Sequence, residues 1–203
     1  MPVVDLSKFG TRLPSQVVLD SNVSIHVLDS AGLNVNSTVT PISADLLRIV
    51  RLIRELRQQR VTTVVTPTVV SEMLHVAARG RYQHLVRTMP PSEMQERYGQ
   101  VIRHWGQLYK RDGAILTELM TKLEALPRIL YLSEVLFVEP LTPTLGQDDG
   151  FMTELLRLSK RYGLDSNDAR ILLEAQSLDI PHIVTLDRDM QRAAQDFTVY
   201  TWL

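Results

Sequence analysis

Five short apolar runs, rich in β-branched residues and separated by stretches of helical periodicity, constrain this chain most. They fall at 16–19, 62–66, 135–138, 182–186 and 197–203. Such runs, bounded by Gly, Pro, Asn, Asp or Ser, read as strands. The spacing between them predicts helices. Leu46, Ile49, Val50, Ile53 and Leu56 form one apolar stripe, with Ser43 as its N-cap. Val69, Val70, Leu74 and Ala77 form a second after Pro67. Leu155, Leu156 and Leu158 lie on a third, within 147–162, and Ile171, Leu172 and Ala175 on a fourth. Residues 1–15 read as an irregular lead-in, 23–28 as a brief helix and 29–41 as a loop. Strands alternating with helices predict an α/β fold: a mainly parallel, five-stranded sheet with helices on both faces.

One stretch breaks the alternation. Residues 79 to about 130 are helical in tone, contain Pro90 and Pro91, and show no strand pattern; they read as an insertion of two or three helices within a single domain spanning 1–203. Between 79 and 112 there are seven Arg or Lys against three acids. That local charge of +4 leaves −5 for the rest of a chain whose net charge is −1. Tyr82, Tyr98, Trp105, Tyr109, His84 and His104 are interleaved with the arginines. Arginine with aromatics grips single-stranded nucleic acid through phosphate pairing and base stacking; the same residues also serve as helix packing and a solvated face. Arg79, Arg81, Arg97 and Arg103 are the candidate RNA contacts. The arginine row on the helix after Ser43 drifts around its axis and reads as a solvated face.

The chemistry lies in the acids. In open α/β sheets ligands bind at the carboxyl edge of the strands, and three strands here run into acids. Asp20 directly follows the first, Glu72 falls in the first turn of the helix after the second, and Asp187 follows the fourth. Asp168 begins the helix that leads into the fourth strand. Singly, each reads as a helix cap or a first-turn acid opposing the macrodipole, and Asp165 with Asp168 has capping-box spacing. Together, four carboxylates on one edge repel one another unless a cation joins them. All-oxygen donors, without cysteine or paired histidines, suit Mg²⁺ or Mn²⁺. Asn22 and Ser166 can add neutral oxygens, and Thr185 can hydrogen-bond an acid and fix its rotamer. Asp165 and Asp189 are additional acids that could replace or supplement their neighbours.

These segments resemble the PIN-domain nucleases, most closely the VapC-like toxin ribonucleases. The resemblance rests on VVLDSNV at 17–23, TPTVVSEML at 66–74, LDSNDARILLEA at 164–175 and IVTLDRDM at 183–190. It covers residues 16–78 and 134 to the end, and departs from the compact toxins in the long helical stretch. It implies a PIN-like three-layer sandwich, with Asp20, Glu72, Asp168 and Asp187 as catalytic and metal-binding residues for one or two Mg²⁺ or Mn²⁺ ions. It further implies hydrolysis of single-stranded or loop RNA to 5′-phosphate and 3′-hydroxyl ends, an antitoxin partner and a homodimer.

Composition excludes other classes. With no cysteine, disulfides, thiolate metal sites and cysteine nucleophiles are ruled out, which fits a cytoplasmic setting. The first residues lack the pattern of a signal peptide, and no apolar run reaches the length of a membrane span. There is no glycine-rich phosphate loop and no GxSxG elbow. Two readings stand: a metal-dependent endoribonuclease, and a catalytically silent PIN-like module that binds RNA or a protein partner.

Overall fold

The computed structural model describes residues 2–8, 11–30, 44–140 and 149–203. Six strands form one sheet: β1 (Val3–Asp5), β2 (Gln16–Leu19), β3 (Thr62–Val65), β4 (Val135–Phe137), β5 (His182–Val184) and β6 (Thr198–Thr201). Their order is β1-β6-β5-β2-β3-β4, and every pairing is parallel. Strands buried on both faces read as continuous apolar runs. Accordingly Val17, Val18 and Leu19 of β2 and Ile183 and Val184 of β5 are fully buried.

The sheet therefore has one strand more than the sequence suggests. The lead-in contains β1, whose Val3 pairs with Val199 of β6. At three residues on a sheet edge it is too short to show a period. β4 and β5 also end earlier than their apolar runs, at Phe137 and Val184.

The helices are α1 (Ser21–Ser30), α2 (Ala44–Gln58), α3 (Pro67–Thr88), α4 (Pro91–Tyr98), α5 (Trp105–Arg111), α6 (Gly113–Glu124), α7 (Leu126–Ser133), α8 (Asp149–Tyr162) and α9 (Ser166–Ser177), with a 3₁₀ helix at Asp189–Gln195. The brief helix after β2 is thus ten residues long and includes Asp29 and Ser30. The N-cap reading of Ser43, the loop from 31 to 41 and the first two residues of the helix at 147 lie outside the described residues. In α2 the buried Ile49, Leu52 and Leu56 keep helical spacing.

Between β3 and β4 the chain makes helices only, as expected, but more of them. α3 continues unbroken past 79 to Thr88, and α4 to α7 follow. Pro91 takes the first position of α4, where no backbone N–H is needed. Gly99, at φ 70°, ends α4 in the left-handed region. Leu85, Met94, Ile102 and Leu108 form a small core of their own. Trp105 and Ile115 join this segment to the main core.

The sheet order fixes where a ligand site belongs. From β2 the chain moves outward to β3 and β4; from β5 it moves the other way to β6. β2 and β5 are neighbours, with Val18 opposite Ile183 and Leu19 opposite Val184. The connections diverge between them, so their carboxyl ends flank a topological switch point, where open α/β sheets leave a crevice.

Candidate active site

Asp20 is the first residue beyond β2, and its N–H continues the ladder to the carbonyl of Val184 at 2.9 Å. One step further on, the register sets Asp20 level with Thr185. The Thr185 hydroxyl donates to Asp20 Oδ2 at 2.6 Å. Oδ1 accepts from the backbone N–H of Ser21 at 2.6 Å and from its hydroxyl at 3.2 Å. The side chain is only 1% exposed. Burial pushes its pKa up to about 6; the bonds from Thr185 and Ser21 pull it back, and the charge of Glu72 adds to the rise.

Thr185 also accepts the backbone N–H of Asp187 at 2.8 Å. One hydroxyl thus ties the acid after β2 to the turn after β5. Asn22 reinforces this turn, its Oδ1 accepting from the N–H of Leu186 at 3.0 Å. Its amide oxygen is therefore engaged in positioning. Asp187 lies three residues beyond the end of β5, not directly after it, and its Oδ1 accepts the N–H of Asp189 at 2.8 Å. Asp189 pairs with Arg192 at 2.8 Å.

Asp168 sits in the first turn of α9, partly exposed. Its pKa is pushed up to about 7, first by burial and then by the charges of Asp165, Asp20, Asp187 and Glu72. Asp168 thus stands within electrostatic reach of the other three expected acids, and Asp20 within reach of Glu72. Asp165 is the N-cap of α9: Oδ1 accepts from the N–H groups of Asn167 at 2.9 Å and Asp168 at 3.0 Å. Ser166, the first residue of that helix, is exposed. Glu72 is placed differently from the expectation. α3 starts at Pro67 and has no acid in its first turn; Glu72 stands in the second.

Two residues escaped the sequence reading. Thr66 is fully buried, and its Oγ1 has no hydrogen-bond partner. Val18 pairs with Val64, so continuing the ladder two residues sets Thr66 level with Asp20, on the same face of the sheet. It lies inside the TPTVVSEML segment, and its place at the end of an apolar run, matching that of Asp20, is the signal for it in the sequence. The other, Glu174, is 4% exposed and bonds to Thr68.

Among the described residues, no group of three His, Cys, Asp or Glu side chains is gathered closely enough to ligate an ion. The donor chemistry nevertheless fits a hard dication. Asp20 and Asp168 are both raised by neighbouring carboxylates, the buried Thr66 hydroxyl at the same sheet edge lacks a partner, and every one of these donors is oxygen.

The candidate RNA contacts divide. Arg81 pairs with Glu118, and Arg97 reaches Asp112 at 3.5 Å. Arg79 and Arg103 are exposed and have no ion pair among the described residues. His104 accepts from the N–H of Gly106 through Nδ1 at 3.1 Å, and so caps α5. Trp105 packs against both His75 and His104, with ring centroids 5.2 Å and 5.1 Å apart. Among the described residues no helix is long and apolar enough to cross a membrane. Compared with known protein-family models the chain matches none, and comparison with curated proteins finds no match either.

Proposed function

We propose that this chain is a Mg²⁺- or Mn²⁺-dependent endoribonuclease built on a PIN-like three-layer sandwich, cutting single-stranded or loop RNA at internal phosphodiesters. One observation carries the reading. At the switch point of a parallel sheet, a buried Asp20 locked by Thr185 stands within electrostatic reach of Glu72, and Asp168 within reach of Asp20, Glu72 and Asp187. An uncompensated group of acids is costly to fold, and a dication is what such a group accommodates.

The chain's own residues divide the work. Asp20 is held rigid by three hydrogen bonds and supplies a fixed carboxylate. Glu72, Asp168 and Asp187, each partly exposed, would complete the ligand set. A bound ion would supply charge neutralisation at the scissile phosphate and a water of lowered pKa. Arg79 and Arg103 are exposed cations suited to the flanking phosphates. The resemblance to VapC-like toxins further suggests a homodimer and an antitoxin partner, in a cytoplasmic setting.

One observation favours a second reading, a silent module that binds RNA or a protein: no three carboxylates are gathered as a closed cage among the described residues. A labelled RNA pool incubated with the purified protein, with and without Mn²⁺, separates the two. The expected outcome is Mn²⁺-dependent fragments with 5′-phosphate and 3′-hydroxyl ends. RNA retained but uncut, at every metal concentration, would leave the silent module.

A further inference from the structure

We infer that Glu174 is a positioning residue, whose buried carboxylate latches the helix that carries Glu72 to the helix that carries Asp168. This rests on the metal-site reading above and adds a residue pair to it, Glu174 and Thr68.

The N-terminus of α3 is the starting point. A helix begins with four N–H groups that lack intrahelical partners, and a Ser, Thr, Asp or Asn side chain at the N-cap usually takes one. Thr66 occupies the N-cap of α3 but makes no such bond. Glu174, on α9, does the work from outside. Its Oε1 accepts the Thr68 hydroxyl at 2.6 Å, and its Oε2 lies 3.4 Å from the Thr68 backbone N. A carboxylate at that end is also favoured by the helix dipole.

The choice of an acid here needs a reason. Glu174 lies in the buried run of α9, among Ile171, Leu172, Leu173 and Ala175. An apolar residue would fill that face without the desolvation cost of a carboxylate. Arg170 offsets part of the charge at 3.2 Å, one turn earlier on the same helix. The bond to Thr68 is the part that reaches another element.

That bond spans the two helices on which half of the acid group is mounted. Thr68 and Glu72 are four residues apart, and so share a face of α3. Glu174 and Asp168 are both on α9. α3 and α9 touch, so the latch holds together the two elements that bring Glu72 and Asp168 to the sheet edge. Two repelling carboxylates push their helices apart; the latch opposes that displacement. Handing the cap to Glu174 also leaves the buried Thr66 hydroxyl without a hydrogen-bond partner.

The test uses the full chain and two readouts: the metal-free thermal midpoint, and the Mn²⁺ dissociation constant from calorimetry. Thr68→Val removes the hydroxyl at nearly constant shape, whereas Thr68→Ser keeps it. Thr68→Val should weaken Mn²⁺ binding by about 10-fold or more, the scale on which groups supporting a metal ligand act. Thr68→Ser should stay within about 3-fold of the parent. If Thr68→Val lowers the midpoint while Mn²⁺ affinity is unchanged, the bond is only a helix cap and the latch is overturned. Where that variant does not fold, Glu174→Gln replaces it: a several-fold loss of affinity supports the latch, and unchanged affinity overturns it. A parent protein that binds no Mn²⁺ would sink the metal-site reading and the latch with it. Parent binding with unaffected variants sinks the latch alone.

Discussion

Two buried aspartates, Asp20 at the sheet edge and Asp112 in the helical segment between β3 and β4, show what separates an acid whose charge the fold offsets from one whose charge it leaves unbalanced. Both are covered from solvent, at 1% and 7% exposure, but Asp20 lies much deeper in the protein than Asp112. Burial is the largest influence on both and pushes both upward. At Asp112 it is outweighed: the Tyr98 hydroxyl donates at 2.9 Å, and the N–H groups of Ile115 and Ala114 and the Arg97 guanidinium add to it. The pKa of Asp112 ends below its ordinary 3.8. At Asp20 the deeper burial outweighs the three donors, no ion pair meets it among the described residues, and Glu72 adds a like charge, so its pKa ends near 6. The fold balances the charge of one acid and leaves that of the other open.

The largest effect should come from closing that gap by mutation. Asp20→Asn should lower the rate of Mn²⁺-dependent RNA cleavage by more than about 100-fold, beyond the loss typical of supporting residues, while leaving RNA binding in place. The same variant should fold at least as stably as the parent without metal, because it removes a buried, repelled charge. Asp112→Ala should do the reverse. It strips a buried hydrogen-bond hub and should cost roughly 2–4 kcal/mol, read as a midpoint several degrees lower, with Mn²⁺ binding untouched. Loss of Mn²⁺ response in both variants would break the comparison.

The response to pH carries the sign of each shift. Asp20 and Asp168 hold their protons up to about 6 and about 7 in the folded chain, whereas the ordinary carboxyl value is 3.8. Between those limits the folded state binds more protons than the unfolded one, so the stability these two contribute falls as pH rises. Asp112 runs the other way: its contribution is present above 3.8 and is lost toward more acid solution. Without metal, the acid edge should therefore make the midpoint fall from about pH 4 to about pH 7 and level off above that, and Asp20→Asn should shallow the slope. Saturating Mn²⁺ should shallow or reverse it, since metal binding requires the deprotonated carboxylates. Identical slopes with and without Mn²⁺ would count against a shared acid site. The smallest effect belongs to Asp165: as an N-cap, its replacement by Ala should cost about 1 kcal/mol, visible in a denaturant midpoint.

How far the sequence could be read follows the range of each interaction. Strands β2, β3 and β6 are marked by local composition, and Asp20 is marked by its place just past β2. Its link to Thr185 follows from the parallel order of strands. The start of α3 at Pro67 is legible from the sequence, but Glu72 falls past the first turn counted from it, in the second. β1 carries too few residues to show a period. Arg81 and Arg97 look like free cations in the sequence, and only the packing of α3, α4 and α6 brings Glu118 and Asp112 to them. Glu174 is the extreme case: an acid in an apolar stripe, whose partner lies 106 residues away.

The distance along the chain between Asp20 and Thr185, 165 residues, has a consequence during synthesis. A ribosome adds roughly 5–20 residues per second, so β2 emerges roughly 10–30 s before the strand that completes its edge. Until β5 slots between β2 and β6, Asp20 lacks the Thr185 hydroxyl, and Asp187 has not been made. On the proposed function, RNA cutting at that edge would begin only once β5 has been made and has joined β2.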